Sequence, residues 1–76
     1  EEQAEMIRGM VASLAQRLVD EGGAPEEWAR LISAYGAMGE TDKAQTAWDQ
    51  AQASFDGNGE ALATLRSAAT QAGLVK

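Results

Sequence analysis

Apolar positions along this chain recur at three- and four-residue steps and never settle into strict alternation, so the pattern is helical throughout. Four amphipathic segments are separated by three turn signals. The first runs from about Glu2 to Glu21, where Met6, Ile7, Met10, Val11, Leu14, Leu18 and Val19 form one stripe. Gly22-Gly23 ends it, because glycine tolerates the left-handed conformation of a helix C-terminus. The second opens at Pro25, whose missing N–H is not needed in a first helical turn. Glu26 and Glu27 then place negative charge at the positive end of the helix dipole. Its stripe is Trp28, Leu31, Ile32 and Tyr35, and Gly39 ends it. Thr41 is the expected N-cap of a third helix carrying Ala44, Ala47, Trp48, Ala51 and Phe55. The run Asp56-Gly57-Asn58-Gly59 breaks the chain, and Asn58 is the expected cap of a fourth helix with Leu62, Leu65, Ala68, Ala69 and Ala72. Gly73 stops that helix, with Leu74 placed to fold back on its last turn. β-branched residues are few and scattered, so the expected fold class is all-α, with short turns that make neighbouring helices antiparallel.

The segment from Pro25 to Asn58 resembles a tetratricopeptide repeat, a helix pair of about 34 residues. Trp28, Leu31 and Tyr35 hold its W-x2-L-x3-Y spacing, Gly39 falls at the turn, and Ala44, Trp48 and Ala51 hold the small–aromatic–small positions of the second helix. Small residues let two helices approach, and the aromatic rings fill the space between them. Ile32 replaces a usual small residue, and Asp56 a usual terminal Pro. One repeat length away, Leu62, Leu65 and Gly73 fall on the positions of Trp28, Leu31 and Gly39, with Ala69 in place of the Tyr. Met10, Leu14 and Leu18 fall near core positions of a preceding second helix, where Arg17 occupies a normally small site. The expectation is one tetratricopeptide-like domain over residues 1–76, an antiparallel stack of four helices. It is ordered half repeat, full repeat (about 25–58), half repeat, with Trp28, Leu31, Tyr35, Ala44 and Trp48 as central core. The start at Glu1-Glu2, without Met, suggests a piece of a longer protein.

Charge and composition remove whole classes of function. Twelve acidic against six basic residues give a net charge of −6, which repels phosphate backbones and argues against nucleic acid as a partner. Arg8, Arg17, Arg30, Lys43, Arg66 and Lys76 form no cluster in sequence, so an anionic membrane surface is a poor partner too. No Cys is present, which excludes disulfides and thiolate metal sites. With neither His nor Cys, the commonest general base and the best nucleophile are missing, and an enzyme is not expected. Met6 and Met10 stand one turn apart, a spacing that suits a soft metal, but core packing is the favoured reading. The imidazole and thiolate ligands of haem are absent, and no cofactor is expected. Trp28 and Trp48 fit repeat core positions better than ligand-stacking platforms. No apolar run reaches transmembrane length and no signal peptide is visible.

A binding surface remains. In repeat stacks the first helix of each pair lines the concave face. Here that face comprises Glu26, Ala29, Arg30, Ser33 and Gly36, with Ala37 at its end. Its small residues leave room for a partner helix in a groove with an apolar floor; the alternative is a merely solvated face. Ala29 and Ser33 stand where carboxylate-clamping repeats carry Lys and Asn, which disfavours a clamp of that kind.

The first two helices also carry a more specific likeness. Ile7-Arg8-Gly9-Met10-Val11, Leu14-Ala15 and Arg17-Leu18, followed by the Trp28–Tyr35 helix, resemble the start of the tetratricopeptide domain in the c-type cytochrome maturation protein of the CcmI/CycH type. That family tends to have a Met-Val-x-x-Leu-Ala-x-x-Leu helix, a short turn, and a Trp-x-x-Leu helix. The likeness spans roughly residues 6 to 55. It departs at Ile32-Ser33, where the family often has Gly-Arg, and at Gly22-Gly23, which replaces a turn with Pro or Asp. The resemblance implies a periplasmic domain of a bacterial inner-membrane protein. It implies a chaperone that captures apocytochrome c polypeptide, often by its C-terminal helix, beside other cytochrome c maturation subunits. The alternative is a generic assembly or scaffold module, with possible self-association.

Overall fold

In the computed structural model, which describes residues 2–75 apart from the side chains of Glu2 and Ala4, the turns fall where glycine frees the backbone. Glu1 and Lys76 lie outside the described residues. The helices are α1 (Glu2–Glu21), α2 (Pro25–Ala37), α3 (Thr41–Ser54) and α4 (Gly59–Gln71), with no strand among the described residues. Gly39 and Gly73 take φ +76° and +82°, and each closes a helix in the same way. After α2, Glu40 N–H donates to the Tyr35 carbonyl at 2.9 Å and Gly39 N–H to Gly36 at 3.1 Å. After α4, Leu74 N–H donates to Ala69 at 2.9 Å and Gly73 N–H to Thr70 at 3.1 Å. These are two Schellman motifs, and they satisfy carbonyls that a helix end leaves open. Leu74 packs against the core, as expected.

The two motifs stand 34 positions apart, and so do the first and last residues of α2 and α4. The spacing between α2 and α4 thus equals the repeat length read from the sequence. Leu65 and Ala69 are fully buried, as Leu31 is, and Leu62 is half-buried at the position of Trp28.

α2 is the hub and packs against α1, α3 and α4. The molecule measures 40 × 29 × 16 Å. Its least dimension is little more than one helix diameter of roughly 10–12 Å, so only a central helix can be covered on several sides. Accordingly Trp28, Leu31 and Ile32 of α2 are buried, against Val11 and Leu18 of α1, Ala47, Trp48 and Ala51 of α3, and Leu65, Ala68 and Ala69 of α4. Ala44 is fully buried as well.

Four local expectations change. Tyr35 is half-buried rather than fully in the core. Thr41 is the first residue of α3 and not its cap; Glu40 takes the cap position and offers no side-chain bond to the helix. Met6 and Met10, expected to pack inside, are 65% and 67% exposed. Leu14 is only half-buried, and Leu18 alone of the trio Met10, Leu14 and Leu18 is fully covered. Asn58 does cap α4, its Oδ1 accepting the Ala61 N–H at 3.2 Å.

Candidate peptide-binding face

The six residues expected to form a groove divide by helical spacing into two rows. Ala29, Ser33 and Gly36 are half-buried, whereas Glu26, Arg30 and Ala37 are exposed. Gly36 shows what covers the first row. A Cβ added there would lie 2.7 Å from Ala72 Cβ and 3.0 Å from Ala72 Cα. Gly36 is therefore the point where the end of α2 meets the end of α4, and its missing side chain is used inside the protein. The groove is correspondingly shallower than the sequence implied. A depression of about 220 Å³ remains, lined by Ser33, Gly36, Ala37, Gln71 and Ala72. The repeat period adds the matching row of α4, where Glu60, Thr64, Ser67 and Gln71 stand at the positions of Glu26, Arg30, Ser33 and Ala37. Of these residues the depression brings together Ser33 and Ala37 of α2 with Gln71 of α4; Glu26 and Arg30 on α2 and Glu60 on α4 supply the charged groups of the two rows.

Glu27 has a larger role than its dipole position suggested. Its Oε1 accepts from Arg17 Nη2 at 2.8 Å, and its Oε2 accepts the Ala24 N–H at 3.3 Å. The carboxylate thus ties α1 to the start of α2 and satisfies one of the free N–H groups there. Ala24 has no side-chain acceptor to return the favour, so this is half of a capping box. It also accounts for Arg17 at a normally small repeat position. Gly23 makes room for this clamp: a Cβ there would sit 2.5 Å from Leu18 Cδ2 and against the Glu27 carboxylate.

Two further concavities were not visible in the sequence. Between α1 and α3, above α2, a depression of about 350 Å³ is lined by residues that include Ala15, Leu31, Tyr35, Ala47 and Gln50. Along the same valley a second, of about 240 Å³, reaches Leu18, Val19, Trp28 and Ala53. Trp28 is 2% exposed and its indole Nε1 finds no acceptor among the described protein atoms. An unmatched donor of this kind costs about 1–3 kcal/mol, set against burial of the largest side chain type. No group of three or more His, Cys, Asp or Glu residues is positioned to hold a metal among the described residues. No described helix is long and apolar enough to cross a membrane.

Comparison with known proteins adds two relatives. The chain is 36% identical over 69 residues to a protein of Rhizobium meliloti (strain 1021) named cytochrome c-type biogenesis protein CycH. It is 39% identical over 69 residues to a protein of the same name from Bradyrhizobium diazoefficiens. Each match takes in 91% of this chain but only 18% and 19% of the relative, so the chain spans about a fifth of their length. No family model matches, and no solved structure matches either. Across those 69 shared residues, this chain is a homologue of the CycH cytochrome c-type biogenesis proteins.

Proposed function

We propose that this chain is a non-catalytic, protein-binding module of c-type cytochrome maturation. It holds a helical segment of apocytochrome c polypeptide, such as the C-terminal helix, on the α2–α4 face, as part of a chaperone that works beside other maturation subunits in the periplasm. The names of its relatives support the pathway. The observation that carries the mode of action is the pair of small residues Ser33 and Ala37, one from each row, beside the Gly36–Ala72 contact. Two helices joined at so small a contact leave a shallow trough whose floor a third helix can approach closely, in the helix-in-groove manner.

Electrostatics refine the client. Glu26 and Glu60 against Arg30 leave the face net acidic, and the whole chain carries −6. A client helix with basic residues beside its apolar stripe is drawn in by this field, and Arg30 at the rim contacts a client carboxylate. Such rim pairs contribute little, so Arg30→Ala lowers affinity by about 0.2–1 kcal/mol. Gly36→Leu is unsuitable as a probe of the groove, since it would break the α2–α4 contact itself. Ala37→Arg is better: the position is exposed, a cation suits a helix C-terminus, and the long side chain lies across the trough. Calorimetric titration with amphipathic, basic apocytochrome peptides tests the reading, with the intact relative titrated alongside. Binding that weakens with added salt and is lost in Ala37→Arg is expected. Binding by the intact protein that Ala37→Arg leaves untouched would remove the α2–α4 face as the client site.

A further inference from the structure

Helices α2 and α4 end side by side. Short turns reverse the chain on entering and on leaving α3, so α2 and α4 run in the same direction. Gly36, in the last turn of α2, meets Ala72 at the end of α4. Two helix dipoles therefore present their negative ends at one place, and neither last turn contains a basic residue to offset them. The depression of about 220 Å³ lined by Ser33, Gly36, Ala37, Gln71 and Ala72 opens at that place.

The hydrogen bonds that close the two helices leave matching gaps. They occupy the carbonyls of Ala34, Tyr35 and Gly36 after α2, and those of Ala68, Ala69 and Thr70 after α4. The next carbonyl in each helix, that of Ala37 and that of Gln71, accepts no backbone hydrogen bond among the described residues. Both residues line the depression. Helical C=O groups point toward the C-terminus, so the two free oxygens leave their helix ends in the same direction. The Ala72 carbonyl oxygen stands 3.8 Å from the Cβ position of Gly36, which brings a third free oxygen to the contact between the helices. Ser33 and Gln71 add a hydroxyl and a carboxamide oxygen, and no carboxylate lines the depression.

We infer that this depression seats the ammonium group of a client lysine. The inference rests on the client reading above and names the group that this end of the face takes hold of. A pocket of neutral oxygens at two negative dipole ends calls for a cation that carries N–H donors. A divalent metal ion is held chiefly by carboxylates, and here there are none. Lysine fits better than arginine. Its ammonium is a compact charge with three donors that can turn toward separate acceptors. The guanidinium is a planar fork matched to the two oxygens of one carboxylate or phosphate, whereas these oxygens come from different backbone groups on two helices. The lysine stem is apolar and lies against the Ala37 and Ala72 methyl groups while its head reaches the carbonyls. The protein's own Arg30 does not take the seat: it stands seven positions before Ala37, about 10 Å back along α2. The acidic field of the chain draws in any cation, and the seat distinguishes one kind from another.

Two peptides of equal charge test this. One is an amphipathic, lysine-containing peptide from the C-terminal helix of an apocytochrome c; the other is the same peptide with every lysine replaced by arginine. Calorimetric titration of the 76-residue chain should give the arginine peptide about threefold to tenfold weaker binding. The carbonyl 13C resonances of Ala37 and Gln71 should move on adding the lysine peptide, as each oxygen gains a donor, and move less with the arginine peptide. Gln71→Lys, at an exposed position, places a cation in the seat. It should raise the melting temperature through the helix dipole, weaken the lysine peptide and abolish the difference between the two peptides. Gln71→Met, neutral and of similar size, should keep that difference. Equal binding of both peptides by the parent chain would overturn the lysine seat and leave the client reading standing. A lysine preference that survives Gln71→Lys would overturn it as well, because the lysine would then be read elsewhere. Failure of both peptides to bind would remove the client reading and the seat together.

Discussion

Gly36→Ala, in the last turn of α2, and Gly9→Ala, inside α1, are the same chemical change in two helices, and the fold predicts different outcomes. At each site alanine gains roughly 0.8–1 kcal/mol of helix propensity over glycine. At Gly9 the new methyl group meets open space, so that gain stands alone. At Gly36 it is driven to within 2.7 Å of Ala72 Cβ and 3.0 Å of Ala72 Cα. The obstruction includes backbone, so no rotation of a flexible side chain relieves it, and the ends of α2 and α4 must separate. Overpacking of this kind costs about 1–3 kcal/mol. Most of the propensity gain cancels between the two variants, and the larger part of their difference in stability is the packing cost of about 1–3 kcal/mol. For a domain of this size each kcal/mol moves the melting temperature by about 4–8 °C. Thermal unfolding followed at 222 nm, in dilute solution, should show Gly9→Ala melting higher than the parent and Gly36→Ala melting below Gly9→Ala by at least ~4 °C. Equal stabilisation of both variants would refute the reasoning, because α2 and α4 would then not touch at Gly36–Ala72.

Other substitutions probe separate joints. Glu27→Ala removes the Arg17 ion pair and the acceptor for Ala24 N–H. The pair is substantially exposed, so the loss should be about 1 kcal/mol and mostly from the cap. Glu27→Gln should recover the larger part of it in urea titrations. Ala44→Leu places three extra carbons at a fully buried position and should cost about 1–3 kcal/mol by overpacking; an unchanged melt would mean the site has slack the fold does not show.

Much of this architecture was legible from local signals. Asn58 reads as a cap because its short side chain can reach a first-turn N–H without help from the rest of the fold, and it does so at Ala61. Gly39 and Gly73 read as stops because a positive φ is a property of the residue itself. What escaped depended on residues distant in the chain. Periodicity placed Met6 and Met10 on one face of α1, but no single-helix pattern says whether a neighbour covers that face, and here none does. Gly36 looked like open groove because its role is fixed by Ala72, far along the sequence. Arg17 looked like an interruption until Glu27 of the next helix was brought to it. Thr41 carried the right side chain for a cap, yet the Schellman bond from Glu40 N–H to Tyr35 turns the chain early and starts α3 at Thr41 itself.

The central claim is that the α2–α4 face receives a client helix. Amide chemical-shift mapping of the 15N-labelled chain, titrated with an amphipathic, basic peptide from the C-terminal helix of an apocytochrome c, tests it residue by residue. Shifts concentrated at Ser33, Ala37, Ser67 and Gln71, saturating with peptide and weakening with salt, are the predicted result. Shifts confined to Gly9, Met10 and Ser13, or to the valley at Ala15, Ala47 and Gln50, with the α2–α4 face unmoved, would contradict it.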